Sequence, residues 1–516
     1  MSGFNKIVSL IPGISEPRIH LSFKSRLKWT GIILILYLVL GSITIYGVAP
    51  QSYERFAFLE MILGANMGSL MTLGIGPIVM ASIILQLLVG SGIIPWDLKT
   101  PDGRSKFQGT QKLLTIFFCV FEAYAYVSFG AVAPAQPTLF MYLVLIGQLA
   151  FGGFLVLLMD EVVQKWGIGS GVSLFIAAGV ARTIFIGVFN PCVPVPNPVT
   201  GKLACGWPDP SAGQFPSGRL LQFFSYMQLG EMSQAVLAML PIIATAVVFL
   251  VAIYIQAIRV DIPLAFATIR GFGRRWPLKF IYTSNIPVIL AGALLANLQL
   301  IGPMLANRGI GIFGSFDSQG HATSGFLYFL SFPRTTSVQV FTLILLLVVF
   351  IGAFSIFYLK IKRTKEIMII SILLGFVLAV FGTAGFVGLP SALDFIRLIT
   401  YLTFFVIFCT IFSVFWVNTS GMDAESVAGQ IESMGMSIPG FRRDPRIIKQ
   451  ILNRYIPVLA VLGGLTIGML AAVADFTNAL GTGTGILLTV MILYNFYERI
   501  AQRYAEEIHP ALRGLF

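Results

Sequence analysis

Apolar runs long enough to cross a lipid bilayer recur along the whole chain, and short polar segments separate them. A membrane-spanning helix needs about 20 consecutive, mostly apolar residues. Because twelve runs meet this length, the pattern predicts an all-α polytopic membrane protein with both termini on the same side of the membrane. The predicted spans cover residues 30–49, 74–92, 112–131, 139–159, 170–189, 236–258, 281–302, 338–359, 367–389, 395–417, 456–475 and 486–502.

The span at 74–92 begins with residues that weaken a helix, namely Gly74, Gly76 and Pro77. Irregular backbone at membrane depth is tolerated only where protein or a water-filled cavity satisfies its polar groups. We therefore expect this span to line a cavity or a pore. The preceding segment, residues 50–72, mixes charged and apolar residues and is too short to cross, so we expect a short helix tucked back into the membrane.

Two further glycine-rich segments, Gly167–Val172 and Gly481–Ile486, precede the fifth and the last predicted spans. In the predicted topology these segments lie at opposite faces of the membrane. This opposition indicates two halves related by inverted topology, a plan common among transport proteins. Close helix packing through small residues, or a simple tight turn, is the other interpretation of the glycines.

The distribution of charge supports the predicted topology. Hydrophobic residues make up 56% of the chain and charged residues 11%, whereas a soluble domain carries about 25% charged residues. Of the 34 Lys and Arg residues, 27 fall on the side of the N-terminus and seven on the other side. Cytoplasmic loops carry an excess of Lys and Arg, so we expect a cell-membrane protein with both termini in the cytosol.

The chain shows no pattern of residues typical of catalysis or metal binding. Ionisable residues within the spans are few, with Glu122 in the third span and Asp475 near the outer end of the eleventh, and no Ser/His/Asp set, paired carboxylate or metal-ligand cluster is found. We therefore expect a protein that is not an enzyme and that binds no metal and no cofactor. A secondary transporter of small solutes is the alternative function, although such carriers usually place several acidic or histidine groups at mid-membrane.

The four cysteines do not have metal-binding spacing. Cys119 and Cys409 lie within apolar spans, and we expect them to be core residues. Cys192 and Cys205 share one polar loop, where a disulfide and two free thiols are both compatible with the sequence.

Two predicted cytosolic loops, residues 259–280 and 418–455, combine arginines with aromatic residues. One interpretation is that these loops set the topology and contact lipid headgroups. The other is that they dock to a polyanion such as ribosomal RNA, to which arginine and an aromatic side chain can bind together. We expect no binding to DNA.

Several segments resemble one family over nearly the whole chain. They are Leu73–Val79, Ile84–Ile94, Phe107–Lys112, Gly167–Gly179, Ser284–Leu290 and Gly483–Val490. These segments resemble SecY, the channel subunit of the Sec protein-conducting translocon, and in particular its archaeal branch, which is close to the eukaryotic α subunit. The resemblance implies passive, gated passage of unfolded polypeptides across the cytoplasmic membrane, with lateral release of transmembrane segments into lipid.

The resemblance also implies a domain organisation, in which two inverted five-helix halves form a clamshell around a central pore. Its parts are a cytosolic amphipathic N-terminus (1–28), an N-terminal half (29–189) with a plug at about 50–72, an extracellular loop (190–235) and a C-terminal half (236–516). The family has ten spans, so the apolar hairpin at about 337–390 is predicted to be an insertion. This hairpin either has a structural role facing lipid or provides a surface on which a partner docks.

Residue by residue, the resemblance implies four functional groups. The pore ring falls on Ile75, Val79, Val172, Ile176, Ile289 and Leu488, and the plug on Phe56, Phe58, Leu59, Ile62 and Leu63. The lateral gate separates two pairs of spans. One side consists of the spans at 74–92 and 112–131, and the other of those at 281–302 and 395–417. Its polar residues are Gln86, Glu122 and Asn297. Met80 stands where relatives can carry a polar residue, so we expect this gate to be held less tightly. The ribosome-binding residues fall on Arg270, Arg274, Arg275, Arg442 and Arg443.

The family's partners follow from the same resemblance. We expect a SecE/gamma-type subunit that clamps the two halves, a SecG/beta-type subunit and the ribosome. Signal sequences and nascent chains would be the passengers, and membrane lipids would surround the channel. The driving energy would come from these partners, because the chain has no P-loop for ATP or GTP.

Overall fold

The computed structural model describes most of the chain. The described residues are 13–18, 21–48, 68–90, 92–96, 100, 101–128, 132–196, 203–206, 214–266, 273–283, 285–306, 311–316, 322–333, 335–359, 364–433, 436–437 and 445–508.

Long helices dominate this part of the chain. They are α1 (Phe23–Leu40), α2 (Gly76–Gly90), α3 (Pro101–Ser128), α4 (Leu139–Trp166), α5 (Gly171–Phe189), α6 (Arg219–Leu229), α7 (Met232–Gln256), α8 (Ile286–Ala306), α9 (Phe326–Phe329), α10 (Thr336–Leu359), α11 (Thr364–Phe386), α12 (Ala392–Thr419), α13 (Ala424–Ser433), α14 (Pro445–Phe476) and α15 (Gly483–Ile508). A single 3₁₀ turn, Gly311–Phe313, follows α8.

Each of the twelve predicted spans coincides with one of these helices. Within the described residues, eight helices are long and apolar enough to cross a membrane, namely α4, α5, α7, α8, α10, α11, α12 and α14. Helix α2 is apolar but has only 15 residues, which agrees with its predicted irregular start. Helices α1, α3 and α15 extend beyond their apolar stretch into charged turns.

The first predicted span ends earlier than expected. Helix α1 stops at Leu40, where Gly41 is the C-cap and the hydroxyl of Ser42 donates to the carbonyl oxygen of Val39. The chain then turns, and Thr44 forms a β-bridge with Ser69. The β-branched residues that follow Gly41 thus pair with the segment before α2 instead of continuing the helix.

Short strands occupy three of the predicted loops, where the hydropathy pattern does not predict sheet. Strands β1 (Val193–Pro196) and β2 (Leu203–Gly206) form an antiparallel hairpin. Strands β3 (Arg259–Phe266), β4 (Gly273–Lys279) and β5 (Met436–Ser437) form an antiparallel sheet in the order β4-β3-β5. This sheet joins the two predicted basic loops and marks one end of the helical bundle, called here the β3–β5 end.

The state of the cysteines is now partly defined. Cys119 and Cys409 are free and buried in the core, as expected. Cys192 is disulfide-bonded. The one other cysteine of the sequence, Cys205, lies on β2 opposite Pro194.

The long helices form two groups that meet along two seams. Helices α1 to α5 pack on one another, and α7, α8, α12, α14 and α15 form the second group. At one seam α15 packs on α5, and at the other α2 packs on α8 and α12. One continuous hydrophobic cluster extends through both groups. This arrangement agrees with the clamshell expected from the resemblance.

Helices α10 and α11 form the predicted apolar hairpin. A Cβ at Gly352 of α10 would overlap the side chain of Ser371 on α11, so the two helices are in close contact. The hairpin packs on α7 through Phe350 against Tyr254 and on α12 through Phe341 against Phe395. The remaining face of α11 exposes large apolar side chains, among them Ile369, Ile370, Leu373, Phe376 and Phe381.

Candidate pore and lateral gate

The start of α2 is irregular, as the sequence predicts. Gly74 has φ of +52°, a left-handed conformation that costs glycine little because it has no Cβ. Its N–H donates to the carbonyl oxygen of Met71 at 3.0 Å, and the N–H of Gly76 donates to Leu73 at 3.1 Å. These turns satisfy the backbone polar groups inside the protein, which is the condition for non-helical backbone at membrane depth.

Helices α5 and α15 run antiparallel along the seam between the two groups. A Cβ at Gly169, just before α5, would lie 3.4 Å from Nη1 of Arg499 near the end of α15. Conversely, a Cβ at Gly481, just before α15, would lie 3.4 Å from Cγ1 of Ile184 near the end of α5. The two glycine-rich segments therefore lie at opposite ends of the bundle, as the inverted-repeat interpretation requires.

The six predicted ring residues belong to one core. Five of them are buried, with exposures of 0% for Ile75, 4% for Val79, 0% for Ile176, 7% for Ile289 and 1% for Leu488. The sixth, Val172, is partly buried and packs against the same cluster. An open water-filled passage between these side chains would expose them, so the described residues leave no such passage at the predicted ring.

A cavity of about 490 Å³ lies on one side of these residues. Val79, Val172 and Ile289 form part of its wall. Polar side chains provide much of the remaining lining, among them Ser82, Gln86, Gln111, Asp160, Gln164, Asn285, Asn495 and Arg499. The lining includes Tyr282, which follows β4, so the cavity lies toward the β3–β5 end. The cavity therefore combines polar and apolar side chains and adjoins the predicted apolar ring.

The seam between α2 and the pair α8 and α12 is closed. A Cβ at Gly90 would lie 3.3 Å from Cδ1 of Phe415, so the end of α2 packs on α12. The Nδ2 atom of Asn297 on α8 donates to Sδ of Met80 on α2 at 3.1 Å, and to the carbonyl oxygen of Ala293 at 2.8 Å. This polar contact between described residues crosses the seam, and its acceptor is a weakly accepting thioether sulfur.

The other two predicted gate residues are buried on the α2–α3 side. Gln86 is 6% exposed and lines the cavity, and Glu122 is 7% exposed. Oε1 of Glu122 has no hydrogen-bond partner among the described residues. Because both amide hydrogens of Asn297 already have acceptors, its side chain has none left to donate to Glu122. The structure thus brings Asn297 to Met80 rather than to Glu122.

Two predicted groups fall on parts of the chain that the structure does not describe. The plug residues Phe56, Phe58, Leu59, Ile62 and Leu63 lie outside the described residues, as do Arg270, Arg442 and Arg443. For Arg274 and Arg275 the backbone is defined. It lies in β4 opposite Leu264 and Pro263 of β3.

The base of the β3–β4 hairpin is tied to the last helix. Lys279 at the end of β4 forms an ion pair with Glu498 of α15. The same ammonium group lies 3.5 Å from Oδ1 of Asn495 and 5.4 Å from the centre of the Tyr494 ring. These contacts fix the root of one predicted ribosome-binding loop to a helix that also contributes Leu488 to the ring.

Sequence reasoning missed the function of two aspartates. Asp160 lies one residue beyond the predicted fourth span, and the sequence pattern predicts no role for Asp475 beyond that of an ionisable residue in the eleventh span. In the structure Asp160 accepts from the N–H of Val172 and Asp475 from the N–H of Thr484, so each aspartate caps the helix after its own. The sequence feature that could have revealed both caps is an acidic residue shortly before each of the segments Gly167–Val172 and Gly481–Ile486. Among the described residues, no His, Cys, Asp or Glu side chains cluster as a metal site would require.

Comparisons with known proteins agree on one family. A family model described as SecY matches residues 69–497. The protein translocase subunit SecY of Methanococcus vannielii is 41% identical, over 98% of this chain and 97% of that protein. The subunit of the same name from Methanocaldococcus jannaschii is 40% identical, over 99% of this chain and 98% of that protein.

Solved structures give the same result. One described as "The structure of a protein conducting channel" has a TM-score of 0.77 and 38% identity, and the match covers 99% of this chain and 100% of that chain. Another, "Sec61 in the Canine ribosome-channel complex from the endoplasmic reticulum", has a TM-score of 0.75 with 38% identity and the same coverage.

Proposed function

The chain belongs to the SecY family, and from this premise we propose that it is the central subunit of a protein-conducting channel. It passes unfolded polypeptides across the cytoplasmic membrane and releases transmembrane segments sideways into lipid. It acts as a channel subunit rather than as an enzyme. The observation that carries this proposal is the cavity of about 490 Å³ that adjoins the predicted ring of Ile75, Val79, Val172, Ile176, Ile289 and Leu488. We assign this cavity as the funnel through which a chain reaches the ring.

The chemistry of the ring suits a passive seal. A narrow apolar constriction excludes water and so blocks ions. Apolar side chains offer a passing chain no hydrogen bonds, so they can surround a polypeptide without holding it. Helices α2, α5, α8 and α15 each contribute ring residues, and small outward displacements of these helices widen the opening. Residues at about 50–72 act as the plug that covers the closed ring.

The seam between α2 and the pair α8 and α12 acts as the lateral gate. An apolar signal sequence would enter here, because separating these helices breaks the weak polar contact between Asn297 and Met80 together with apolar packing. Gln86 and Glu122 form the polar side of the same gate. The signal sequence then lies between the funnel and the lipid, and the nascent chain follows through the ring.

The β3–β5 end lies in the cytosol, with both termini on that side and the chain in the cell membrane. Support comes from the excess of Lys and Arg on this side of the predicted topology. The funnel therefore opens toward the cytosol, where unfolded chains arrive. The basic loops that carry Arg270, Arg274, Arg275, Arg442 and Arg443 dock to the ribosome, in agreement with the ribosome-channel complex of the canine relative.

Two small subunits complete the channel. A SecE/gamma-type subunit clamps the two helix groups, and a SecG/beta-type subunit binds at the periphery. The α10–α11 hairpin is an insertion in the C-terminal half whose exposed apolar face contacts lipid, since α11 exposes mainly large aliphatic and aromatic side chains.

Crosslinking from a stalled nascent chain tests the proposal. Single cysteines are placed at Ile75 and Ile289 in a background in which Cys119 and Cys409 are alanine, and a photoreactive group is carried by the nascent chain. We expect crosslinks at both ring positions and none at Leu143→Cys, a control position on α4 that is 61% exposed and faces away from the core.

Equal crosslinking at the ring and at Leu143 would reject the assignment of the ring. A secondary transporter of small solutes is the alternative function. Uptake of a solute into proteoliposomes driven by an ion gradient, with no crosslinks at the ring, would favour that function instead.

A further inference from the structure

We propose that Asp475 couples the lateral gate to the pore ring, because its carboxylate joins the gate helix α12 to the first turn of α15. Movement of α12 would then displace Leu488. Asp160, its counterpart in the first helix group, fixes the start of α5 but makes no such connection. This proposal rests on the proposed function and assigns a positioning residue within it.

The two aspartates cap the two pore helices in the same way. Oδ1 of Asp160 accepts from the N–H of Val172 at 3.0 Å, and Oδ1 of Asp475 accepts from the N–H of Thr484 at 2.7 Å. The first N–H groups of a helix lack intrahelical partners, and a carboxylate at this position also interacts favourably with the helix dipole. Each aspartate therefore determines where a pore helix begins.

The first residue of each capped helix is a glycine that permits close approach. A Cβ at Gly171 would lie 2.7 Å from Cα of Asp160, and a Cβ at Gly483 would overlap the carbonyl group of Ala474. Both helix starts are thus pressed against the backbone of the helix that carries the aspartate. A glycine at the first position and a capping aspartate from the preceding helix thus occur at both pore helices, α5 and α15.

The ring residues lie within the first two turns after each cap. Val172 itself provides the N–H that Asp160 accepts, and Ile176 follows one turn later. Leu488 lies four residues after Thr484, so the two share one face of α15. A displacement of the capped end of α15 is therefore transmitted to Leu488 over a single helical turn.

The two caps differ in the second partner of the carboxylate. For Asp160 this partner is Nε2 of Gln164 at 2.7 Å, which belongs to the same helix, α4. For Asp475 it is the hydroxyl of Tyr401 at 2.7 Å, which belongs to the gate helix α12. The hydroxyl of Thr484 donates to the same oxygen of Asp475. Only the second cap therefore joins three helices.

The environment makes this junction difficult to break. Asp475 is 2% exposed, and Tyr401 and Thr484 are both 0% exposed. A buried polar group left without its partner carries its full desolvation penalty. The Tyr401 ring also packs on Phe476, with ring centres 5.5 Å apart. Helix α12 and the start of α15 are thus expected to move together.

A matched pair of variants tests the coupling. Tyr401→Phe and Gln164→Met each remove one donor to a capping carboxylate and leave the helix N–H donor in place, but only Tyr401→Phe separates the gate helix from α15. The full chain with its partner subunits is reconstituted in planar bilayers. A synthetic signal peptide with an apolar core of about 10 residues is added, and the ion conductance is measured. The peptide carries a photoreactive group, and its crosslinking yield to α2 and α8 measures occupancy of the gate.

We expect the conductance gained per crosslinked peptide to be at least about threefold lower in Tyr401→Phe than in Gln164→Met, a comparison that allows for any effect of Gln164 as a cavity-lining residue. A wild-type value in both variants, or an equal loss in both, would overturn the proposal. Asp475→Asn, which keeps the shape and one acceptor oxygen, gives an independent measurement. Its combination with Tyr401→Phe should add no further loss, and an additive loss would count against coupling through this bond.

Failure of the proposed function would look different. A wild-type channel that shows no conductance change with signal peptide and no nascent-chain crosslinks at Ile75 would reject channel activity itself. Failure of the coupling leaves those two wild-type results intact and abolishes only the difference between Tyr401→Phe and Gln164→Met.

Discussion

The side-chain amide nitrogen of Asn297 lies 3.1 Å from the sulfur atom of Met80, and this contact crosses the seam between α8 and α2. A thioether is a weak hydrogen-bond acceptor, whereas a typical hydrogen bond in a protein contributes about 0.5–1.5 kcal/mol. The polar part of the closed gate is therefore weak in this chain, and apolar packing such as that of Gly90 on Phe415 supplies the remainder.

Replacing the sulfur with a stronger acceptor should tighten the gate. Met80→Gln supplies an amide oxygen within reach of Asn297, and a gain of one ordinary hydrogen bond corresponds to about a two- to tenfold lower rate of gate opening. We expect translocation of a substrate with a weakly apolar signal sequence to slow by that factor. Met80→Leu is the control, and its rate should be at or slightly above the wild-type rate. Faster translocation in Met80→Gln than in Met80→Leu would contradict the role of this contact.

Polar substitutions in the ring should let ions through the resting channel. Ile75→Ser and Ile289→Ser introduce hydroxyl groups that hydrate the constriction, so the barrier formed by excluded water is lost. We expect the resting conductance of each variant in a planar bilayer to rise at least about tenfold. Leu149→Ser is the matched control, because Leu149 is also 0% exposed but lies on α4, which contributes no ring residue. An equal rise in the control would show that general loosening, rather than the ring, causes the leak.

Reversing charge in the basic loops should weaken ribosome binding. Arg274→Glu and Arg442→Glu each replace a cation that we place against phosphate groups, so affinity should fall about tenfold or more and depend less steeply on salt concentration. The measurement is a cosedimentation assay at several salt concentrations. Arg259→Glu is the control, since Arg259 is exposed at the base of the same hairpin and lies beside Asp261. Equal loss in Arg259→Glu would indicate an effect of net charge rather than of a docking site.

A charge swap should reveal the contribution of the ion pair at the root of the β3–β4 hairpin. Lys279→Glu and Glu498→Lys each place like charges together, and the double variant restores an opposite pair. Both side chains are about one-third exposed, so we expect a coupling free energy of only about 0.5–1 kcal/mol. Protection of the hairpin from limited proteolysis is the measurement. Additive effects of the two substitutions would show that the pair does not hold the hairpin.

The helices could be predicted well because the bilayer imposes a length and a polarity on each span. Each of the twelve predicted spans overlaps a helix, eight of these described helices are long and apolar enough to cross a membrane, and the residues Gly74, Gly76 and Pro77 correctly indicated an irregular start of α2. The early end of α1 was not foreseen, because hydropathy does not register that Gly41 stops a helix or that Thr44 pairs with Ser69. The short strands were missed for a related reason, since hydropathy registers long apolar runs and not short hairpins such as β1–β2 and β3–β4, and since the pairing of β3 with β5 joins distant loops.

The sequence by itself determined the positions of the apolar helices, the inverted pattern of glycine-rich segments and the family resemblance from which the ring residues are predicted. Each of these depends on local hydropathy or on a short run of residues. Tertiary structure alone decided that Asn297 reaches Met80 rather than Glu122, and that Asp160 and Asp475 cap the helices following their own. It also decided that Asp475 meets Tyr401, which is 74 residues away. Such pairings depend on how buried helices pack, and a hydrogen bond between distant residues leaves no periodic signal in the sequence.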